Sequence, residues 1–79
     1  MYIEAQYNAG MPNKKEFEEI FKARLVSEFA DAEIVVYADG CPSIVVLDVD
    51  DEDEKERVKF RVIDIRKECK MTRKEWRTW

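Results

Sequence analysis

Apolar and polar side chains alternate over the first seven residues of the chain, MYIEAQY. In an extended chain, Ile3, Ala5 and Tyr7 fall on one face, and Glu4 and Gln6 fall on the other. A period of two residues is typical of a half-buried β-strand. The stretch NAGMPN that follows contains glycine and proline, which favour a turn. The chain is therefore predicted to begin with a strand.

An amphipathic helix is predicted from about Lys14 to Phe29. Asn13 followed by Glu16 has the spacing of a capping box, which satisfies free backbone N–H groups at a helix start. Apolar residues then recur at steps of three and four residues, which places their side chains on one helix face. These residues are Phe17, Ile20, Phe21, Leu25 and Phe29.

Two stretches rich in β-branched residues, EIVVYA at 33–38 and SIVVLDV at 43–49, are predicted to form strands. Between them lies DGCP, in which Asp39-Gly40 is typical of a hairpin turn and Pro42 favours a turn or an edge position. Strands joined this closely are expected to pair with each other in antiparallel fashion. The helix between the first strand and the second predicts a right-handed crossover.

The last third of the chain fits two periodicities. As a strand, VKFRV alternates well, but the pattern changes face at Val62-Ile63. As a helix, a longer stripe of side chains recurs at alternating four- and three-residue steps, so a helix is favoured. The stripe comprises Val58, Val62, Ile65, Cys69, Thr72 and Trp76. On this helix Phe60, Ile63 and Met71 would face away from the core, where exposed apolar groups often mark a partner surface.

The start of this helix is strongly acidic: DVDDEDEKE, residues 48–56, contains seven carboxylates. Asp51 followed by Glu54 has capping-box spacing, and acids in a first turn meet the positive end of the helix dipole, each contributing about 0.3–1 kcal/mol. Basic residues then follow toward the negative end of the dipole. Much of the charge pattern is therefore what a well-capped helix requires.

These elements predict a single α+β domain over residues 1–79, in the order β-α-β-β-α, with a three-stranded mixed sheet covered on one face by two helices. The predicted core is Ile3, Ala5, Phe17, Phe21, Leu25, Val36, Val45, Leu47, Val58, Val62, Ile65 and Trp76.

Composition narrows the function classes. The 79 residues are 46% apolar and 41% charged, and they include no histidine. The missing histidine removes the usual general base and the usual zinc ligand. No apolar run approaches the length of a membrane span and no signal peptide precedes the first strand, so a cytoplasmic protein without membrane contact is expected. Cys41 and Cys69 are expected to be free thiols.

Charge is distributed unevenly along the chain. Residues 1–27 carry equal numbers of acids and bases, whereas residues 28–56 carry eleven acids and one base, a net charge of −10. Residues 57–79 carry nine bases and three acids, a net charge of +6. The acidic segment and the basic segment are therefore candidate binding surfaces.

Enzymatic chemistry is disfavoured. The stretch DVDDEDEKERVK begins with the alternating carboxylates of an EF-hand loop, but an acidic residue, Asp53, stands at the sixth position, where that loop needs glycine. A nuclease-like metal site built on Asp48, Asp50 and Lys55 has no specific spacing to support it. No glycine-rich phosphate loop and no nucleophile beside a base is present. No catalytic residue, metal or cofactor is therefore predicted.

Protein binding is the preferred function. A dense row of carboxylates can take the place of a nucleic-acid backbone on a protein that handles DNA or RNA, because it meets the Arg and Lys side chains already there. The predicted partner is a DNA- or RNA-handling protein complex. The candidate binding residues are Asp48, Asp50, Asp51, Glu52, Asp53, Glu54, Glu56, Phe60 and Ile63.

Direct nucleic-acid binding by the basic C-terminal segment is the alternative, since clustered bases beside tryptophan can contact phosphates and stack on nucleobases. The net negative charge of the chain and the −10 segment disfavour it. The residues concerned are Arg66, Lys67, Lys70, Arg73, Lys74 and Trp79.

The order strand, helix, two strands and helix, with MYIEAQY at the start and DDEDEKERV at the beginning of the last helix, resembles the DinI-like family. Ile3-Glu4 and Trp76 add to the likeness. Members of that family are small bacterial and phage proteins that bind the RecA filament and modulate the SOS response. The resemblance implies a RecA-filament regulator. In that family the last helix is acidic through to its end, whereas residues 57–79 here are basic, so only the acids at 50–56 carry over.

Two further interpretations stay open at this stage. Small acidic α+β proteins are also made by phages as inhibitors of host defence, including anti-CRISPR proteins that act as DNA mimics. A helix with apolar groups such as Phe60 and Ile63 on its outer side is also compatible with a homodimer.

Overall fold

The chain forms a three-stranded sheet with two helices packed on one face, and a computed structural model describes every residue from Met1 to Trp79. The α+β class, the mixed sheet and the two helices confirm the prediction. The elements are β1 (Tyr2–Asn8), α1 (Lys14–Glu28), β2 (Glu33–Asp39), β3 (Ile44–Leu47), α2 (Glu52–Lys70) and a short 3-10 helix (Lys74–Trp76).

The strand order is β2-β1-β3, with β1 parallel to β2 and antiparallel to β3. The predicted antiparallel pairing of β2 with β3 is therefore wrong. The four residues 40–43 carry the chain past the end of β1, which requires about 10 Å for two strand spacings and lies within the roughly 13 Å reach of four residues. The turn signal is still used locally, because the Asp39 carboxylate accepts a hydrogen bond from the Cys41 N–H at 2.9 Å.

A single core lies between the sheet and the two helices. Its centre is aromatic: the ring of Phe17 lies 5.3 Å from that of Tyr7 and 5.2 Å from that of Trp76. Burial raises the pKa of Tyr7 to about 12. The buried apolar residues are Ile3, Ala5, Tyr7, Met11, Phe17, Phe21, Leu25, Ile44, Val46, Val58, Val62, Ile65, Cys69 and Trp76.

Strand β3 buries the opposite face from the one predicted. Ile44 and Val46 are in the core, whereas Val45 is half-buried and Leu47 is 46% exposed. The pairing with β1 decides this, because Val46 lies opposite the core residue Ile3 and residues opposite each other share a face. Val36, also predicted in the core, is partly buried against it.

The helix starts differ in how they are capped. Asp51 is the N-cap of α2, as predicted, and its side chain accepts a hydrogen bond from the Asp53 N–H at 2.9 Å. The capping-box bonds with Glu54 are not formed. Asn13 makes no such bond at α1. Its side chain instead donates a hydrogen bond to the Glu75 carboxylate at 2.8 Å. The capping box predicted at the start of α1 is therefore replaced by a contact with the end of the chain.

The C-terminal segment, residues 71–79, folds back onto the start of α1. Helix α2 ends at Lys70, so the predicted stripe is interrupted before Trp76 and Thr72 is exposed. Trp76 is nevertheless fully buried, and its indole N–H donates to the Pro12 carbonyl oxygen at 2.9 Å. The segment is thus part of the fold.

The two cysteines are free, and they are expected to differ in reactivity. Cys41 is exposed, whereas Cys69 is buried in α2 and desolvation raises the pKa of its thiol. Because the thiolate is the reactive form, alkylation of Cys69 by iodoacetamide should be slower by about a hundredfold or more. Mass spectrometry after timed alkylation measures both rates, and urea should make them equal. Similar rates without urea would contradict the packing of α2.

Candidate protein-binding surface

Residues 48–56, called here the acidic segment, link β3 to α2 and form the first turn of that helix. Asp48 adopts a left-handed backbone conformation with a φ of 61°, which Asp tolerates better than most residues. The next residue, Val49, packs against the core and fixes the segment in place. Asp51 caps the helix.

All seven carboxylates of the acidic segment are exposed, and none takes part in an ion pair. The ion pairs of the protein lie elsewhere: Arg24 and Arg61 join α1 to α2, and Arg73 holds the C-terminal segment. The segment is therefore an uncompensated negative surface. Its acids are Asp48, Asp50, Asp51, Glu52, Asp53, Glu54 and Glu56.

The sheet topology brings further acids to the same end of the molecule. β1 and β2 begin at this end and β3 finishes there, so Glu33, Tyr2 and Leu47 form one row across the sheet, directly before Asp48. Glu33 and Asp31 are both exposed. The sequence reasoning missed these two, since only the strand order places them at the same end of the sheet as the acidic segment.

The two apolar candidates have different positions on α2. Phe60 is 60% exposed, one turn beyond Glu56 and two turns beyond Asp53 on the outer face of the helix. Ile63 is partly buried and packs against the core, so it does not face fully away as predicted. Met71 is 64% exposed, as predicted. Phe60 is thus an exposed apolar side chain on the same helix face as carboxylates of the acidic segment.

The opposite end of the molecule is basic, but most of its candidate nucleic-acid contacts have internal partners. The Arg66 guanidinium donates to the Gln6 carbonyl oxygen at 2.9 Å, and burial lowers its pKa. Lys70 donates to the Trp79 carbonyl oxygen, and its pKa is lowered by burial and by the neighbouring charges of Arg66 and Lys67.

The remaining members of the basic group are divided. Arg73 pairs with Glu16 at 2.6 Å and lies over the Trp76 ring, 5.3 Å from its centre. Trp79 packs beside Gly10, where an added Cβ would come within 2.9 Å of the indole. Lys67 and Lys74 are exposed and form no ion pair. The basic end therefore acts largely to dock the C-terminal segment.

No three acidic, cysteine or histidine side chains converge in a way that could hold a metal ion. No helix combines the length and the apolarity that crossing a membrane requires.

The fold and its surface define a small α+β protein with an acidic end and a basic end. In comparisons with known proteins, no protein-family model matches the chain and no curated protein matches it.

Proposed function

We propose that this chain is a non-enzymatic, cytoplasmic regulator that binds a DNA-handling protein complex through its acidic segment, in the manner of the RecA-filament modulators it resembles. The observation that carries the proposal is the set of seven exposed carboxylates without a single ion pair. A binding partner that presents Arg and Lys side chains would supply the missing counter-charges.

Helix capping does not account for all of these acids. Asp51 alone accepts a capping hydrogen bond by its side chain. The helix dipole favours acids within the first turn, which covers Glu52, Asp53 and Glu54. Asp48 and Asp50 precede the helix, so they add mutual repulsion without such a gain. A partner that presents Arg and Lys side chains would give these two carboxylates favourable contacts.

Phe60 can contribute binding affinity that exposed carboxylates alone provide poorly. Charged groups at the rim of an interface mostly govern the rate of association, whereas buried aromatic side chains contribute most of the affinity. Phe60 lies on the same helix face as Asp53 and Glu56 and is 60% exposed. The proposed interface is therefore an aromatic anchor beside an acidic row.

The test compares two variants with the same change in charge. Asp50→Asn with Asp53→Asn removes two of the seven carboxylates of the acidic segment and keeps the Asp51 cap. Glu18→Gln with Glu19→Gln removes two carboxylates of α1 that form no ion pair. Binding to purified RecA on single-stranded DNA is measured by fluorescence anisotropy. The first variant is expected to lose about tenfold or more in affinity, because two charge contacts are removed, and the second to bind like wild type.

Equal affinities for the two variants would contradict a role for the acidic segment. Wild-type binding should also weaken as salt is raised, because exposed charge contacts are screened. If wild type does not bind RecA, a pull-down from bacterial lysate with the same two variants decides between another DNA-handling partner and none. Loss of capture with the first variant alone would keep the proposal and replace the partner.

A further inference from the structure

The outer edge of β3 is a row of backbone groups without partners. Gln6 N–H donates to the Ser43 carbonyl oxygen at 3.1 Å, which fixes the alternation of hydrogen bonds between β1 and β3. By that alternation, Val45 and Leu47 point their backbone groups toward β1. Ile44 and Val46 therefore direct their N–H and C=O groups to the free edge, where no hydrogen bond is formed.

The two residues that carry these free groups have little contact with water. Ile44 is only 6% exposed and Val46 only 3% exposed. Polar backbone groups in such surroundings almost always find a partner, because leaving them unpaired costs free energy. A further strand added to this edge would satisfy them.

The two edges of the sheet differ in how they resist pairing. Natural edge strands carry charges that prevent edge-to-edge association. On β2, an antiparallel pairing of two copies centred on Val36 would place Glu33 opposite Asp39 of the second copy, which repels. β3 has no charged residue between Ile44 and Leu47. Edge-to-edge pairing of two copies is therefore possible at β3 without charge repulsion between the strands.

The helix above this edge carries charges that complement themselves. Glu52, Lys55, Glu56 and Lys59 of α2 line a groove of about 260 Å³ together with β3. Two copies related by a two-fold axis perpendicular to the sheet present these helices in antiparallel fashion. Glu52 then faces Lys59 of the second copy, and Lys55 faces Glu56 of the second copy. Each charge meets its opposite.

We propose that the β3 edge binds a second copy of this chain, with the two β3 strands antiparallel and centred on Val45. This register pairs Ile44 with Val46 of the second copy, and the reverse, so all the free edge groups of both residues are hydrogen-bonded. The product is a continuous six-stranded sheet with the two α2 helices side by side. The dimer uses Glu52 and Glu56 of the acidic segment and leaves Asp48, Asp50, Asp51, Asp53 and Glu54 free for the partner of the proposed function.

The first test uses charge. Lys55→Glu with Lys59→Glu makes the groove wholly acidic, and Glu52→Lys with Glu56→Lys makes it wholly basic. Each variant alone is expected to raise the dimer dissociation constant by about tenfold or more, and an equimolar mixture should dimerise again. Lys14→Glu with Lys15→Glu, which changes the charge equally at the start of α1, should leave dimerisation unchanged. Sedimentation equilibrium measures all four.

The second test reports the strand register. In a Cys41→Ser background, Val45→Cys places two thiols directly opposite each other at a pair without mutual hydrogen bonds, where Cβ atoms approach to about 4.5–5.5 Å. Mild oxidation should yield a cross-linked dimer, whereas Val35→Cys on β2 should stay monomeric. Each cysteine variant lies on the sheet face away from the helices.

Wild type that remains monomeric up to about 1 mM would overturn the proposal. The proposal would also be overturned by a dimer that does not cross-link through Val45→Cys, or by one whose dissociation constant is unchanged in the charge variants. Either result would place the interface elsewhere. A dimer with both the expected mixing and the expected cross-link supports it.

Discussion

Replacing Trp76 by alanine is expected to lower the free energy of unfolding by about 3–5 kcal/mol, the usual range for a large buried aromatic residue. Trp76 is fully buried, and its ring meets that of Phe17 edge-on at 5.2 Å. The variant also loses the indole donor, which leaves the Pro12 carbonyl oxygen without this partner. A domain of this length has a stability of roughly 4–12 kcal/mol, so the loss is a large fraction of the total.

Trp79 is the matched control within the same segment. It is 45% exposed and packs mainly beside Gly10, so Trp79→Ala should cost less than about 1 kcal/mol. Urea titration followed by far-ultraviolet circular dichroism compares the two variants without relying on tryptophan fluorescence. Equal losses would mean that the C-terminal segment does not dock through Trp76.

Local periodicity predicts the three strands and the two long helices of this fold. The three- and four-residue steps of Phe17, Phe21 and Leu25 mark a buried helix face, and all three are in the core. The same reasoning correctly favoured a helix for residues 57–65, because its stripe was longer than any alternating pattern. Helices are stabilised by contacts close in sequence, so the sequence pattern carries their signal directly.

The sheet order was beyond such reasoning. Asp39-Gly40 does form a turn, but which strand pairs with which is decided by contacts far apart in sequence. β1 becomes the central strand because α1 returns the chain parallel to it and residues 40–43 then pass over its end. The same order brings Asp31 and Glu33 to the same end of the sheet as the acidic segment. The sequence therefore predicted the contiguous part of the candidate site, residues 48–56, but not the acids that the strand order adds to the same end.

The phase of β3 could not be obtained from the run IVVL, since four consecutive apolar residues show no alternation. Only the pairing of Val46 with Ile3 and of Ile44 with Ala5 selects the buried face. Shifting a strand by one residue moves every side chain to the other face. The sequence-based prediction of Val45 and Leu47 in the core made that error.

The same substitution at two neighbouring positions tests this phase. Val46→Asp places a carboxylate at a site that is 3% exposed and has no partner there, and it is expected to lower the free energy of unfolding by about 4 kcal/mol or more. Val45→Asp lies on the open face of the sheet, where the charge reaches water, and should cost less than about 1.5 kcal/mol. Urea titration of both variants gives the comparison. If Val45→Asp were the more damaging of the two, the strand would be in the other register and the core between β3 and α2 would have to be rebuilt around Leu47.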